Sequence, residues 1–331
     1  MANTNYGTIS QRTAAWAATE MLAHSEPVLV LSKFGMTKPM PKNKADNVKF
    51  RRPVPFAAAT TPLTEGVTPT AQAMAYEDVP CTLNQYGAVV TISDKVADLV
   101  EDPVIKDAAM LCGEQAGETL EAITWGILKG GTNLFYSNGT ATNTVNTAVT
   151  LNKLRAVVRA LQAQRGKPVT KMLDGSANYN TSPIEGGYIA FCHTDASADV
   201  RGLAGFVPTS EYGSRKTLCN EELGSIENIR FIASPLLSPT LAAGSATKNG
   251  MKSVGGANVD VYNIIIVAQD AYGLVPLKGA GAISPTVISP ETKTKDDPLG
   301  QLGYVGWKTY FAAVVLNQAW LANLKCGVTD L

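Results

Sequence analysis

Apolar positions along the chain are spaced in several distinct ways. In residues 9–24, Ile9, Ala14, Ala17, Met21 and Leu22 fall near one face of a helix. Thr8 or Ser10 is placed to cap that helix, and Pro27 closes it. A longer helical pattern follows further on. Ile105, Ala109, Cys112, Ala116, Leu120, Ile123 and Ile127 recur at spacings of three and four, which makes one apolar stripe. Asp102 and Pro103 supply an N-cap and a proline at the first helical position, and Gly130-Gly131 stop the helix. A helix over 103–129 is predicted, about 40 Å long. Asp107, Glu114, Glu118 and Glu121 are expected to form a carboxylate stripe on another of its faces.

Between these helices the pattern is extended. Pro39 and Pro41 forbid a helix around them. Residues 48–56 and 81–92 read as strands, separated by about two dozen residues with little helical signal. So long an excursion is rare inside a compact domain. It reads as a protruding hairpin whose apolar residues are buried by something outside the chain, which makes it an assembly arm.

From residue 150 onward helices and strands alternate. Thr150 is placed to cap a helix with Leu151, Leu154, Val158 and Leu161 on one face and Gly166 past its end. Residues 187–194, 226–235 and 259–277 are rich in β-branched and aromatic residues and read as strands. A short helix is expected over 196–205, and 238–258 is a long polar loop. In 303–328 periodicity does not choose between helix and strand. Aromatic and β-branched enrichment favours two strands turning near Asn317-Gln318.

Composition narrows the function classes. Of 331 residues, 45% are hydrophobic and 17% charged, which supports a sizeable core and excludes a wholly disordered chain. The 28 basic and 28 acidic residues cancel, unlike a protein that coats nucleic acid across a whole face. The first residues lack the basic and apolar regions of a signal peptide, and no stretch approaches a membrane span, so folding in a cytoplasm is expected. Cys81, Cys112, Cys192, Cys219 and Cys326 are scattered, odd in number and without a CxxC pair, and are expected to be reduced, mostly buried thiols. Asn138-Gly139-Thr140 and Asn180-Thr181-Ser182 match a glycosylation pattern but read as loop composition.

Catalytic chemistry is not indicated. Cys192 and His193 are neighbours, yet adjacent residues on a strand point to opposite faces. His24 and His193 are the only histidines, too few for a histidine-based metal cluster. Gly279-Ala280-Gly281 begins like a dinucleotide loop, but Ser284 stands where glycine is needed. No catalytic residue, cofactor site or metal site is therefore assigned.

The strongest charge pattern suggests a protein partner. Lys33, Lys38, Lys42, Lys44, Lys49, Arg51 and Arg52 stand against Asp46 alone, with Phe34 and Phe50 as the only stacking rings in that run. Single-strand binders use such rings repeatedly. Residues 94–121 are correspondingly acidic. The expectation is an inter-subunit contact of Lys42, Lys44, Lys49, Arg51 and Arg52 with Asp107, Glu114, Glu118 and Glu121 of a neighbouring copy.

PMPKNKADNVKFRR, TTPLTEGVTPT, LNQYGAVVTISD, GEQAGETLEA and LKGGTNLFY resemble, in that order, the major capsid proteins of the N-four-like group of tailed phages. YIAFCHTDASADVRGLAGFVP, GSIENIRFIASP, DAYGLVPLKG and DPLGQLGYVGWKTYFAAVVLNQAW continue the match, which covers about residues 25 to 325. Its specificity lies in the number and order of the segments. The resemblance implies an α+β protein with the Hong Kong phage capsid fold. It implies an N-arm over 1–36, an extended loop over 37–92, and a peripheral domain with a spine helix over 93–148. An axial α/β domain over 149–291 and a return to the peripheral domain over 292–331 complete it.

The implied function is self-assembly through pentamers and hexamers into an icosahedral head. Portal, scaffold and decoration proteins are expected partners. The head would enclose double-stranded DNA without sequence-specific binding, in the virion, after assembly in the bacterial cytoplasm and without a membrane. A bacterial nanocompartment shell shares the fold but needs a cargo-docking surface, for which the sequence gives no signal. A cytosolic α/β enzyme with a hairpin arm needs convergent titratable groups, and the scarcity of histidine counts against it.

Overall fold

The computed structural model describes residues 29–43, 45–95, 104–173, 181–213, 215–277, 283–293 and 297–331. The expected helix over 9–24 and the expected cap at Asp102-Pro103 lie outside the described residues. So do Gly279-Ala280-Gly281 and Asn180.

The described chain opens with a 3-10 turn, Leu31–Lys33, and a two-residue strand β1 (Met36–Thr37). A hairpin of β2 (Asn47–Pro53) and β3 (Tyr76–Thr82) follows, then β4 (Asn84–Ser93) and the long helix α1 (Val104–Lys129). Next come β5 (Leu134–Tyr136), α2 (Leu151–Ala163), β6 (Val169–Leu173), β7 (Thr181–Cys192) and a short α3 (Ser197–Arg201). The rest is strands: β8 (Val207–Pro208), β9 (Glu222–Ile226), β10 (Ile229–Ala233), β11 (Tyr262–Val267), β12 (Tyr272–Pro276), β13 (Ile283–Ile288), β14 (Leu302–Val315) and β15 (Leu321–Cys326).

Two sheets carry the molecule. The larger runs β5-β15-β11-β7-β10-β9-β8, with β6 beside β7. Its centre is buried on both faces, and the sequence shows why. In β11 every residue of Tyr262–Val267 is buried, so the strand reads as an unbroken apolar run rather than an alternation. Ile264 and Ile266 join Leu154, Val157 and Leu161 of α2 in one core, while Ile265 and Val267 join Trp125 and Leu128 of α1 in another. The face of α2 is thus set by Val157, with the expected Val158 only half-buried. β9 and β10 form a tight hairpin whose turn places Glu227 at φ 50°. Asn138 organises the loop after β5, its side chain bonding Thr144 O at 2.9 Å and Asn146 Oδ1 at 2.7 Å.

The second sheet runs β1-β12-β14-β13, with β4 on the other edge of β14. β14 is the organiser: β4 pairs with it from Leu302 to Phe311, while β13 and then β12 share its opposite edge. Gly87 and Gly306 sit where these strands approach closely, since a Cβ at either would come within 2.6 or 2.7 Å of a backbone oxygen. The first half of α1 lies on this sheet, with Ala109, Cys112 and Ala116 packed on Ile92, Val305 and Trp307.

Four sequence expectations change here. The hairpin partner of 47–53 is 76–82, not the whole of 81–92. Residues 84–93 instead form a ladder with β14 that buries Ile92. The tail is two strands with a 3-10 turn at Gln318–Trp320, as its composition indicated, but it divides between the sheets. β14 belongs with β4, whereas β15 pairs with β11 and so sits in the larger sheet rather than beside α1's first half. Run 259–277 likewise divides, with β11 in one sheet and β12 in the other. Finally, the buried face of α1 rotates along its length. It begins on Ala109 and Cys112 and ends on Glu121, Thr124, Trp125 and Leu128, leaving Ile123 and Ile127 half-buried. The cause is that α1 leaves one core and enters the other midway.

Candidate assembly interface

The β2–β3 hairpin leaves the body as a narrow two-stranded ribbon. Its base is held down by Val48, Phe50 and Cys81, which pack on Val275 of β12 and Ala312 of β14. Beyond Val54, whose N–H donates to Ala75 O at 2.9 Å, residues 54–75 form no helix or strand. Every residue from 53 to 78 is exposed. Among them Phe56 is 55%, Leu63 76%, Val67 62% and Met74 65% exposed. Those values would be ordinary for scattered single residues, but here they recur along one projecting segment.

The expected basic contact residues are divided by this geometry. Arg51 stands opposite Asp78 and Arg52 opposite Glu77 in the hairpin register. Arg51 forms a two-pronged pair with Asp78 at 2.7 and 2.8 Å, and Arg52 reaches Glu77 at 2.6 Å. The hydrogen bond from Arg51 holds the Asp78 carboxyl below the usual range. Both arginines are thus paired within their own chain at the hairpin surface, and a contact with a neighbour's carboxylates would be made in addition to those pairs. The signal was legible: Arg51-Arg52 and Glu77-Asp78 mirror one another about a single hairpin centre, the arrangement that places opposite charges across antiparallel strands. Lys42 and Lys49 are exposed, and Lys44 lies outside the described residues.

On the acidic side, Asp107 and Glu118 are exposed and Glu114 is half-buried. Glu121 is not on that surface. It is 1% exposed and accepts hydrogen bonds from the backbone N–H groups of Val30 and Leu31. The rotation of α1's buried face carries it inward, so it leaves the expected carboxylate stripe.

The residues that invited a catalytic reading are not arranged for it. Cys192 is fully buried with its thiol 3.6 Å from Ile232 O, and burial pushes the thiol up to about 12. A thiol so far from ionising is a poor nucleophile. His193 turns to Asp195 instead, its Nδ1 accepting from Asp195 N at 3.0 Å. Lys252 and Tyr262 both donate to Asp195 Oδ2 at 2.7 Å, so this cluster ties β7 and β11 to the polar loop. Among the described residues no group of three or more metal-binding side chains gathers, and no helix is long and apolar enough to cross a membrane.

Comparison with known proteins agrees with the architecture. The major capsid protein of Pseudomonas phage KPP21 is 24% identical over 192 residues, which are 54% of this chain and 48% of that protein. The match thus spans about half the length of that relative. The capsid of Ralstonia phage GP4 superposes with a TM-score of 0.66 at 14% identity, over 90% of both chains. The capsid of cyanophage Pam1 gives 0.62 at 12% identity, over 94% of this chain and 93% of that one. These likenesses establish the mixed α+β fold of phage capsids, the Hong Kong phage fold. A model of the family described as phage capsid protein matches residues 76–325, most of the length, and the chain belongs to that family.

Proposed function

We propose that this chain is the major shell-building subunit of a tailed-phage head, and that the projecting arm 54–75 is its principal contact with a neighbouring copy. The observation that carries the reading is the arm itself, which exposes a run of large apolar side chains that the chain's own fold leaves uncovered. Burying apolar surface gives about 25 cal/mol per Å², so a few such side chains seated on a neighbour give each contact useful strength. An open hollow of about 400 Å³ over β4 and β14, lined by Gln85, Tyr86, Gly87, Val89, Trp307 and Lys308, is taken as the arm's mixed polar and apolar seat on the neighbour.

The contact is heterologous, one patch meeting a different patch, and with a rotation that closes it makes rings, here pentamers and hexamers. The units are an N-arm (1–36), an extended loop (37–92), a peripheral unit (93–148), an axial unit (149–291) and a returning tail (292–331), with β12 and β13 lent to the sheet of β14 and β15 lent to the larger sheet. Lys42 and Lys49 of one copy facing Asp107, Glu114 and Glu118 of the next set register and association rate more than affinity. Portal, scaffold and decoration proteins, packaged double-stranded DNA, and assembly in the host cytoplasm complete the reading.

The test compares the full chain with a variant in which residues 55–74 are replaced by Asn-Gly, a two-residue hairpin turn. Sedimentation velocity and negative-stain microscopy should show closed shells or sheets of rings for the full chain, with scaffold added where needed. The variant should give only small particles at unchanged subunit stability. Equal assembly by the variant overturns the reading.

A further inference from the structure

The 3-10 turn Leu31–Lys33 has no capping side chain of its own. Its cap comes from 90 residues away. Glu121 Oε1 accepts from Val30 N at 3.3 Å and from Leu31 N at 3.1 Å, and Oε2 accepts from Leu31 N at 3.3 Å. The same short segment also touches β12, β7 and the loop before β9. Tyr272 of β12 donates its hydroxyl to Leu31 O. Phe34 packs against Phe191 of β7, ring centres 5.9 Å apart. Lys33 Nζ lies 3.9 Å from Glu221 Oε2, in the loop before β9. Val30 and Leu31 are essentially inaccessible to solvent.

We propose that Glu121 is a proton-linked latch that fastens residues 30–33 to α1, closing when it takes up a proton and loosening when it loses one. The geometry supplies the reason. A carboxylate on the buried face of a helix gains two backbone donors but loses its water, and these effects oppose one another.

Among the described residues, the titratable groups facing Glu121 come from three elements. Lys33 comes from the turn, Glu221 from the loop before β9, and Tyr272 from β12. Beside Glu221 stands the Cys219 thiol, pushed up to about 12 by burial. Glu221 Oε2 is itself buried with no hydrogen-bond partner among the described residues. Burial raises Glu121 most, the N–H groups of Leu31 and Val30 and the Lys33 charge lower it, Glu221 raises it again, and the balance lies at about 7.

With the segment opened, Glu121 stands in water and ionises near 4.5. The closed form therefore holds more protons than the open form between those two values. Its proton-linked stability is fully present below about 4.5 and is lost as pH rises through about 7. At neutral pH the latch is near its weakest, and residues 30–33 are then most easily released from α1.

Hydrogen–deuterium exchange of the peptide covering residues 29–35, followed in the full-length chain from pH 5 to pH 8 and corrected for intrinsic rates, reads this directly. The opening constant should rise on the order of 50-fold over that range. Glu121→Gln keeps an acceptor for both N–H groups without a titratable proton, and should stay protected with a flat profile. Glu221→Gln removes the neighbouring charge and should end the rise at lower pH, an independent check should Glu121→Gln fail to fold. A flat wild-type profile, or variants whose profiles match wild type, overturns the proposal.

Discussion

The arm 54–75 and strand β11 are both rich in apolar residues, and the structure treats them oppositely. Tyr262–Val267 is buried to the last side chain between α1 and α2. Phe56, Leu63, Val67 and Met74 stay more than half exposed. The difference lies in what flanks them. β11 sits between two strands, β7 and β15, with a helix over each face. The arm is spaced by Pro55, Pro62 and Pro69, which withhold donors and keep it from joining a sheet. Apolar content alone therefore does not locate a core. It locates surface that must be covered, either by the same chain or by another.

The comparison is broken most sharply from the buried side. Phe231→Ala, in β10 of the larger sheet, removes a fully buried ring and should cost about 3–5 kcal/mol, read as a lower urea midpoint of the subunit. Arg230→Met comes next. Arg230 Nε lies 2.7 Å from Glu222 Oε1, and Glu222 also accepts from Tyr212 and from Leu218 N. Removing the cation strands a buried carboxylate at a cost of about 3 kcal/mol or more, read as a lower urea midpoint. On the arm, Phe56→Ser with Leu63→Ser should change subunit stability by no more than about 0.5 kcal/mol while the assembled fraction in sedimentation falls sharply. Smallest of all is the ionic part. Raising salt from 50 to 500 mM should slow assembly of the wild type, and Lys42→Ala with Lys49→Ala should reduce that dependence without abolishing shells.

Much of the fold was readable because its patterns are local. The C-terminal end of α1, the extent of α2, the two-stranded tail and the extended arm all follow from periodicity, glycine and proline placement and β-branched content, whereas Thr150 stands at the start of α2 without the side-chain cap expected of it. What escaped depends on long-range pairing. Spacing placed Glu121 on a solvent stripe, but a helix that crosses from one core to another changes its buried face, and no single period describes it. Arg51 and Arg52 read as free cations because their partners lie 27 and 25 residues away across a loop. Strand β3 was overlooked for the same reason, since Pro80 and the acids Glu77 and Asp78 hide a strand that only its partner makes evident.

The division of β14 and β15 between the two sheets has a consequence for timing. β14 holds together β4, β12 and β13, and β15 closes the larger sheet beside β11. On a ribosome these strands emerge after everything they organise, so the sheet of β14 cannot complete its pairing until residue 315, and the larger sheet until residue 326, has cleared the exit tunnel. The arm, made early, waits on a body that is unfinished. On the contact proposed above, a growing chain exposes its arm before the β4–β14 seat is complete.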